Sequence, residues 1–230
     1  MTVQRSVPAS GVAHGAMPAQ PGAPVRELLE TPAPVVRDLR GRAGYGPHSL
    51  DFTAGDIVVV SGLPGSGKST LIRRTVRARA IDSQNTRDSW AAALPRLLPY
   101  ALYRPLVRAA HYLGLWNALR SGESVVVHDC GTQTWVRRRL ARHAVSRGRT
   151  LHLILLDVTP EVARQGQRER GRGVSGYAFA RHRHAVARLI RDTEQGLLPA
   201  GCTSAVLLDR EAAGALGRIS FTDDGASTTR

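Results

Sequence analysis

Gly62-Leu-Pro-Gly-Ser-Gly-Lys-Ser-Thr70 decides how the rest of this chain is read. Gly62, Gly67, Lys68 and Ser69 satisfy the pattern G-x-x-x-x-G-K-[ST], which average residue frequencies produce by chance in roughly one chain of this length in a hundred. The pattern carries meaning only between a strand and a helix, and both flanks fit. Asp56 to Val60 is an apolar run that predicts a buried strand, and Ser69 to Ala80 places Leu71, Ile72, Thr75 and Val76 at helical spacing with arginines between them. In such a loop Gly62, Gly65 and Gly67 turn backbone N–H groups toward phosphate oxygens at a helix N-terminus. Lys68 reaches the β and γ oxygens of a nucleotide, and the Ser69 hydroxyl ligates magnesium. The nucleotide-binding set expected from the motif is therefore Gly62, Leu63, Pro64, Gly65, Ser66, Gly67, Lys68, Ser69 and Thr70, with ATP and Mg2+ as cofactors.

Working outward, Ser49 to Phe52 predicts a strand joined by a Thr-Ala-Gly turn to the one that feeds the loop. A short strand ending at Ile81 is expected after the helix, then buried strands at Ser124 to Val127, Leu151 to Leu156 and Thr203 to Leu208. Helices are expected over Trp135 to Arg147 and from Pro160 to about Arg170. Strand and amphipathic helix alternate about four times, which predicts an α/β three-layer sandwich with a mostly parallel, five-stranded sheet covered by helices on both faces. The domain is expected over 49–220. Residues 1–48, rich in Ala, Pro and Gly at their start, read as a disordered or extended arm, and 221–230 as a tail. Trp90 to Leu119, broken by Pro95, Pro99 and Pro105, reads as a helical insertion that shapes a substrate pocket.

The chain has 230 residues, 42% of them hydrophobic, enough for one sizeable core. Its longest apolar runs fall far short of the roughly 20 residues that cross a bilayer, and Met1 is followed by no signal-like stretch. A cytoplasmic protein with no membrane partner is the expectation. Cys130 and Cys202 are too few and too distant for a disulfide framework, so both read as reduced. The net charge of +14 would ordinarily suggest a nucleic-acid partner. Here the basic set is all arginine but one, which points first to a biased composition and leaves nucleic acid weakly supported. The lone lysine is Lys68, at the position where a compact ammonium and not a planar guanidinium must fit.

Further candidates flank the loop. Asp129 ends the apolar strand Val125-Val-Val-His, where a carboxylate can organise magnesium; Asp157, at the end of the next strand, competes for that role, although Pro160 favours a turn there. Asp82 falls at the carboxyl end of the expected second strand, facing the same crevice as a γ-phosphate, as a base for an acceptor hydroxyl or as the cap of a following helix. Arg87 follows as a substrate-binding candidate. Arg164, Arg168, Arg170 and Arg172, interspersed with glycines, read as a lid over 164–176, with Arg168 (catalytic) and Arg172 (substrate-binding) preferred for neutralising charge on a transferring phosphoryl group. His182 and His184 read as a solvated helix face.

These motifs resemble the small P-loop kinases and AAA-type ATP-binding proteins grouped with polynucleotide kinases, zeta toxins and gluconate kinases, over about Asp56 to Leu208. The resemblance implies that Asp82 activates the acceptor, Arg87 binds it and Arg168 serves the lid. The spacing from Asp82 to Arg87 is longer than in polynucleotide kinases, and the insertion has no counterpart there, so the acceptor does not carry over. The expected activity is transfer of the ATP γ-phosphate to a hydroxyl of a small molecule, nucleotide or nucleic-acid end. The alternative is a regulatory or nucleic-acid-associated ATPase that hydrolyses ATP to water. The transporter signature Leu-Ser-Gly-Gly-Gln is absent, and a chain with one lysine cannot hold the Asn-Lys-x-Asp guanine motif.

Overall fold

The computed structural model describes residues 34–42, 44–76, 79–81, 113–129, 134–171 and 173–223, all within one compact unit, Pro32–Arg230. Its strands are β1 (Val35–Asp38), β2 (Ser49–Thr53), β3 (Ile57–Gly62), β4 (Arg79–Ile81), β5 (Val125–His128), β6 (Leu151–Leu156), β7 (Cys202–Leu208) and β8 (Arg218–Thr222). The helices used below are α1 (Lys68–Thr75), α2 (Thr134–Val145), α3 (Pro160–Glu169), α4 (Gly176–Glu194) and α5 (Arg210–Ala215), and residues 113–120 are also helical.

Six of the described strands form one parallel sheet in the order β1-β7-β6-β3-β5-β4. Five of the six strands expected from the sequence are in it, with β3 at an interior position, whereas the sixth, Ser49 to Phe52, lies in a separate pair. The remaining strand of the sheet is a difference from the sequence reading: β1, from within the expected arm, pairs with β7 from Val35↔Ser204 to Asp38↔Leu207. The folded region therefore starts before residue 49. A second pair, β2 and β8, also runs parallel and carries the chain two residues past the expected boundary at 220.

All six residues of β3 are buried, as a strand covered on both faces requires. Successive side chains alternate between faces. Ile57 and Val59 pack with Leu115 and Leu119, with Val136 and Leu140 of α2, and with Phe179 and Leu189 of α4. Val58 and Val60 pack on the other side with Leu71 and Ile72 of α1, Ala212, and Leu50 and Ile219 of the small sheet. One face is thus covered by helices alone, and the other by helices together with β2 and β8.

The helix starts follow local chemistry. Thr159 Oγ1 accepts from Val162 N at 3.4 Å with Pro160 in the first turn of α3, and Ser175 Oγ accepts from Ala178 N at 3.3 Å to start α4. Cys202 is a free thiol, pushed up to about 11 by burial, and Cys130 lies outside the described residues.

Candidate functional site

The loop after β3 turns on glycines. Gly62, Gly65 and Gly67 have φ of 154°, 92° and 97°, in the left-handed region where side chains are strained, and Gly67 stands at the N-cap of α1. At Gly65 space is as limiting as conformation, since a Cβ there would lie 2.0 Å from Ala163 O and 2.9 Å from Gln167 Cγ. Gly166 closes the same contact from the other side, because its Cβ would meet Gly65 O at 2.5 Å. Gln167 completes the clamp. Its Nε2 donates to Pro64 O at 2.9 Å, and its Oε1 accepts from Val174 N at 2.9 Å. One amide side chain thereby ties the loop to α3 and to the turn that precedes α4.

Lys68 is 3% exposed, and its ammonium donates to Gly62 O at 2.8 Å and Leu63 O at 2.7 Å. Burying an ammonium is tolerated only with such partners. The loop carbonyls therefore hold the cation at the centre of the turn, against the N-terminal end of α1, where an anion is favoured. Ser69, 2% exposed, sits in the first turn beside it.

The two carboxylates at the ends of β5 and β6, the strands on either side of β3, both have cationic partners. Asp129 Oδ2 accepts from Arg137 Nη1 at 2.5 Å, and Arg137, on α2, is 5% exposed with its Nε lacking a partner among the described residues. The Asp129 N–H donates to Val60 O at 2.9 Å, which fixes the residue beside the strand that carries the loop. Asp157 accepts from Arg40 Nη1 at 2.7 Å. Arg40 also pairs with Asp38 at 2.6 Å and Glu194 at 2.8 Å, so one guanidinium joins the ends of β1, β6 and α4. Its hydrogen bonds, that to Asp38 foremost, raise the Arg40 pKa and hold the Asp38 carboxyl below its usual range.

Of the expected lid, Arg164 and Arg168 lie within α3, and the described residues around Gly171 form the turn to α4. Arg164 stacks its guanidinium 4.9 Å from the Phe179 ring centroid, while Arg168 is exposed in the last turn. Asp82, Arg87, Arg172 and the insertion up to residue 112 lie outside the described residues. Residues 113–119, its end, are helical. Sequence reasoning missed Arg137 and Gln167. An arginine one turn into the helix after Asp129 was a usable signal for the first, whereas nothing local marks the second.

With this geometry in hand, comparison with known proteins adds the family. A family model described as an AAA domain matches residues 57–195, more than half of the chain. The chain belongs to that family. A search of curated proteins returned no match. Among solved structures, the PezAT toxin-antitoxin system of Streptococcus pneumoniae is similar at 16% identity, covering 76% of this chain and 80% of that one with a TM-score of 0.48. A gluconokinase from Sinorhizobium meliloti 1021 is similar at 19% identity, covering 71% and 93% with a TM-score of 0.41. The tunicamycin resistance protein of Deinococcus radiodurans is similar at 18% identity, covering 56% and 78% with a TM-score of 0.36. The AAA domain match spans the phosphate loop, both carboxylates, α3 and all of α4. No helix among the described residues is long and apolar enough to cross a membrane.

Proposed function

We propose that this AAA domain protein is an ATP-dependent phosphotransferase that moves the γ-phosphate to a hydroxyl of a small molecule, a nucleotide or a nucleic-acid end. The observation that carries the reading is the clamp between the phosphate loop and α3, made by Gly65 against Gly166 and by Gln167 on Pro64. It makes the loop and the arginine-bearing helix one unit, so Arg168 and Arg172 would stand near charge that develops on a transferring phosphoryl group. Lys68 would exchange its loop carbonyls for β and γ oxygens. Asp82 would take the proton from the acceptor hydroxyl, and Arg87 would hold the acceptor.

Magnesium fits the donors present. The Ser69 hydroxyl and the Asp129 carboxylate are hard oxygens, as suits an ion whose other ligands are phosphates and water. Ser69 and Asp129 would hold it, and it would supply charge neutralisation at the phosphates. Arg137 would keep the Asp129 carboxylate aimed.

Incubation with labelled ATP and a panel of metabolites, nucleosides and oligonucleotides tests the reading. Acceptor-dependent transfer is expected, lost in Lys68→Ala. Transfer unchanged in Asp82→Ala removes the proposed base, and phosphate release that no acceptor alters replaces the kinase with an ATPase.

A further inference from the structure

The amino edge of the main sheet, opposite the phosphate loop, holds a cavity of about 320 Å³ between the start of β3, the approach to β5 and the end of α2. The two edges are separated by the length of β3, roughly 20 Å for six residues at 3.3 Å each. Its floor is apolar, made by Ile57, Leu119 and Ala144, each 3% exposed or less. Its rim is cationic. Arg147 and Arg149 stand there, both exposed, against one carboxylate, Glu123.

The rim is shaped around these guanidiniums. Gly55 has φ +87°, and a Cβ there would come within 2.7 Å of Arg149 Nε, so the arginine lies across bare backbone. At Gly122, with φ +76°, a Cβ would stand 3.7 Å from Arg147 Nη1. Helix C-termini ordinarily bring negative potential, and two of them meet here. Their carbonyls are already engaged, since Leu119 O accepts from His143 Nε2 at 3.0 Å and Ala144 O accepts from Arg147 N at 3.0 Å and Arg149 N at 2.9 Å. A carbonyl can only accept, so His143 Nε2 carries a proton and serves as part of the frame. Among the described residues neither guanidinium forms an ion pair within 4 Å.

An apolar floor under two free forks matches a compact organic body with one dianionic head, and the volume is at the small end for ligand sites. We propose that this cavity is a second ligand site, separate from the nucleotide loop, that takes a small organic phosphate monoester, its phosphate held by Arg147 and Arg149 and its body on Ile57, Leu119 and Ala144. The assignment is independent of the proposed kinase reaction.

Calorimetric titration of phenyl phosphate into the full chain, its P-loop first saturated with adenylyl imidodiphosphate and magnesium, is the test. Saturable binding is expected, about tenfold weaker or more in Arg147→Ala/Arg149→Ala. A control, Arg138→Ala/Arg142→Ala, removes the same charge from exposed positions of α2 and should bind as the wild type does. Thermal melts of both variants check that they fold. No binding to the wild type, an equal loss in the control, unchanged binding in the Arg147/Arg149 variant, or phenol binding as tightly as phenyl phosphate would each overturn the proposal.

Discussion

The two edges of the sheet use partnered charge to different ends. At the carboxyl edge Lys68, Asp129, Asp157 and Arg40 meet through groups contributed by different elements, so each charge also pins a loop. At the amino edge Asp56, 3% exposed, is enclosed by partners from β6 and its approach: His152 Nε2 at 3.0 Å and Thr150 N at 2.9 Å. His152 Nδ1 in turn meets Ser204 Oγ at 2.8 Å, and its ring lies 4.7 Å from that of Phe52. The first arrangement holds a site in shape. The second holds β3, β6 and β7 in register and leaves the neighbouring arginines without an ion pair among the described residues.

The largest way to break this contrast is Lys68→Ala. Transfer or hydrolysis of labelled ATP should fall about a thousandfold, the scale of removing one preorganised cationic donor, with the melting temperature little changed. Gly65→Ala attacks the clamp instead. Positive φ and contact with Ala163 O together amount to about 3 kcal/mol of strain, so ATP affinity by calorimetry should drop about a hundredfold while the far-ultraviolet dichroism stays native.

At the other edge, Asp56→Asn should cost about 2 kcal/mol in urea unfolding, with transfer retained. Its signature is pH. Burial opposes ionisation of Asp56, but hydrogen bonds from His152 and Thr150 outweigh it and hold the carboxyl below its usual value. A depressed native pKa means that the stabilisation is full above the unfolded value of about 4 and is lost as pH falls through the native one. Wild type should lose stability across that acid window, and the Asn variant should lose less. The smallest effect is expected for Arg40→Ala, about 1 kcal/mol in the same assay, because its side chain is 25% exposed and solvent screens the pairs.

Apolar runs such as Ile57–Val60 and, but for His152, Leu151–Leu156 made the central strands legible, since a strand buried on both faces announces itself by composition. β1 did not. It is four residues long, three of them exposed, and follows Pro32 and Pro34, so only its pairing with β7 distinguishes it from an extended arm. β8 was equally quiet, because its partner β2 is remote in the chain. In the site, the loop could be read because a local backbone shape demands glycines in a fixed order. Gln167 could not, as it acts through a contact between elements that sequence spacing does not encode, while Arg137 was marked only by its place one turn into the helix after Asp129.

The pairing of β1 with β7 also sets an order of events. Among the described strands Val35–Asp38 comes first in the chain, yet its partner Cys202–Leu208 precedes only β8, and β2 waits in the same way for Arg218–Thr222. Contacts this distant in sequence close late and slowly. A nascent chain must therefore carry two unmated strand segments until residues 202–222 have been made.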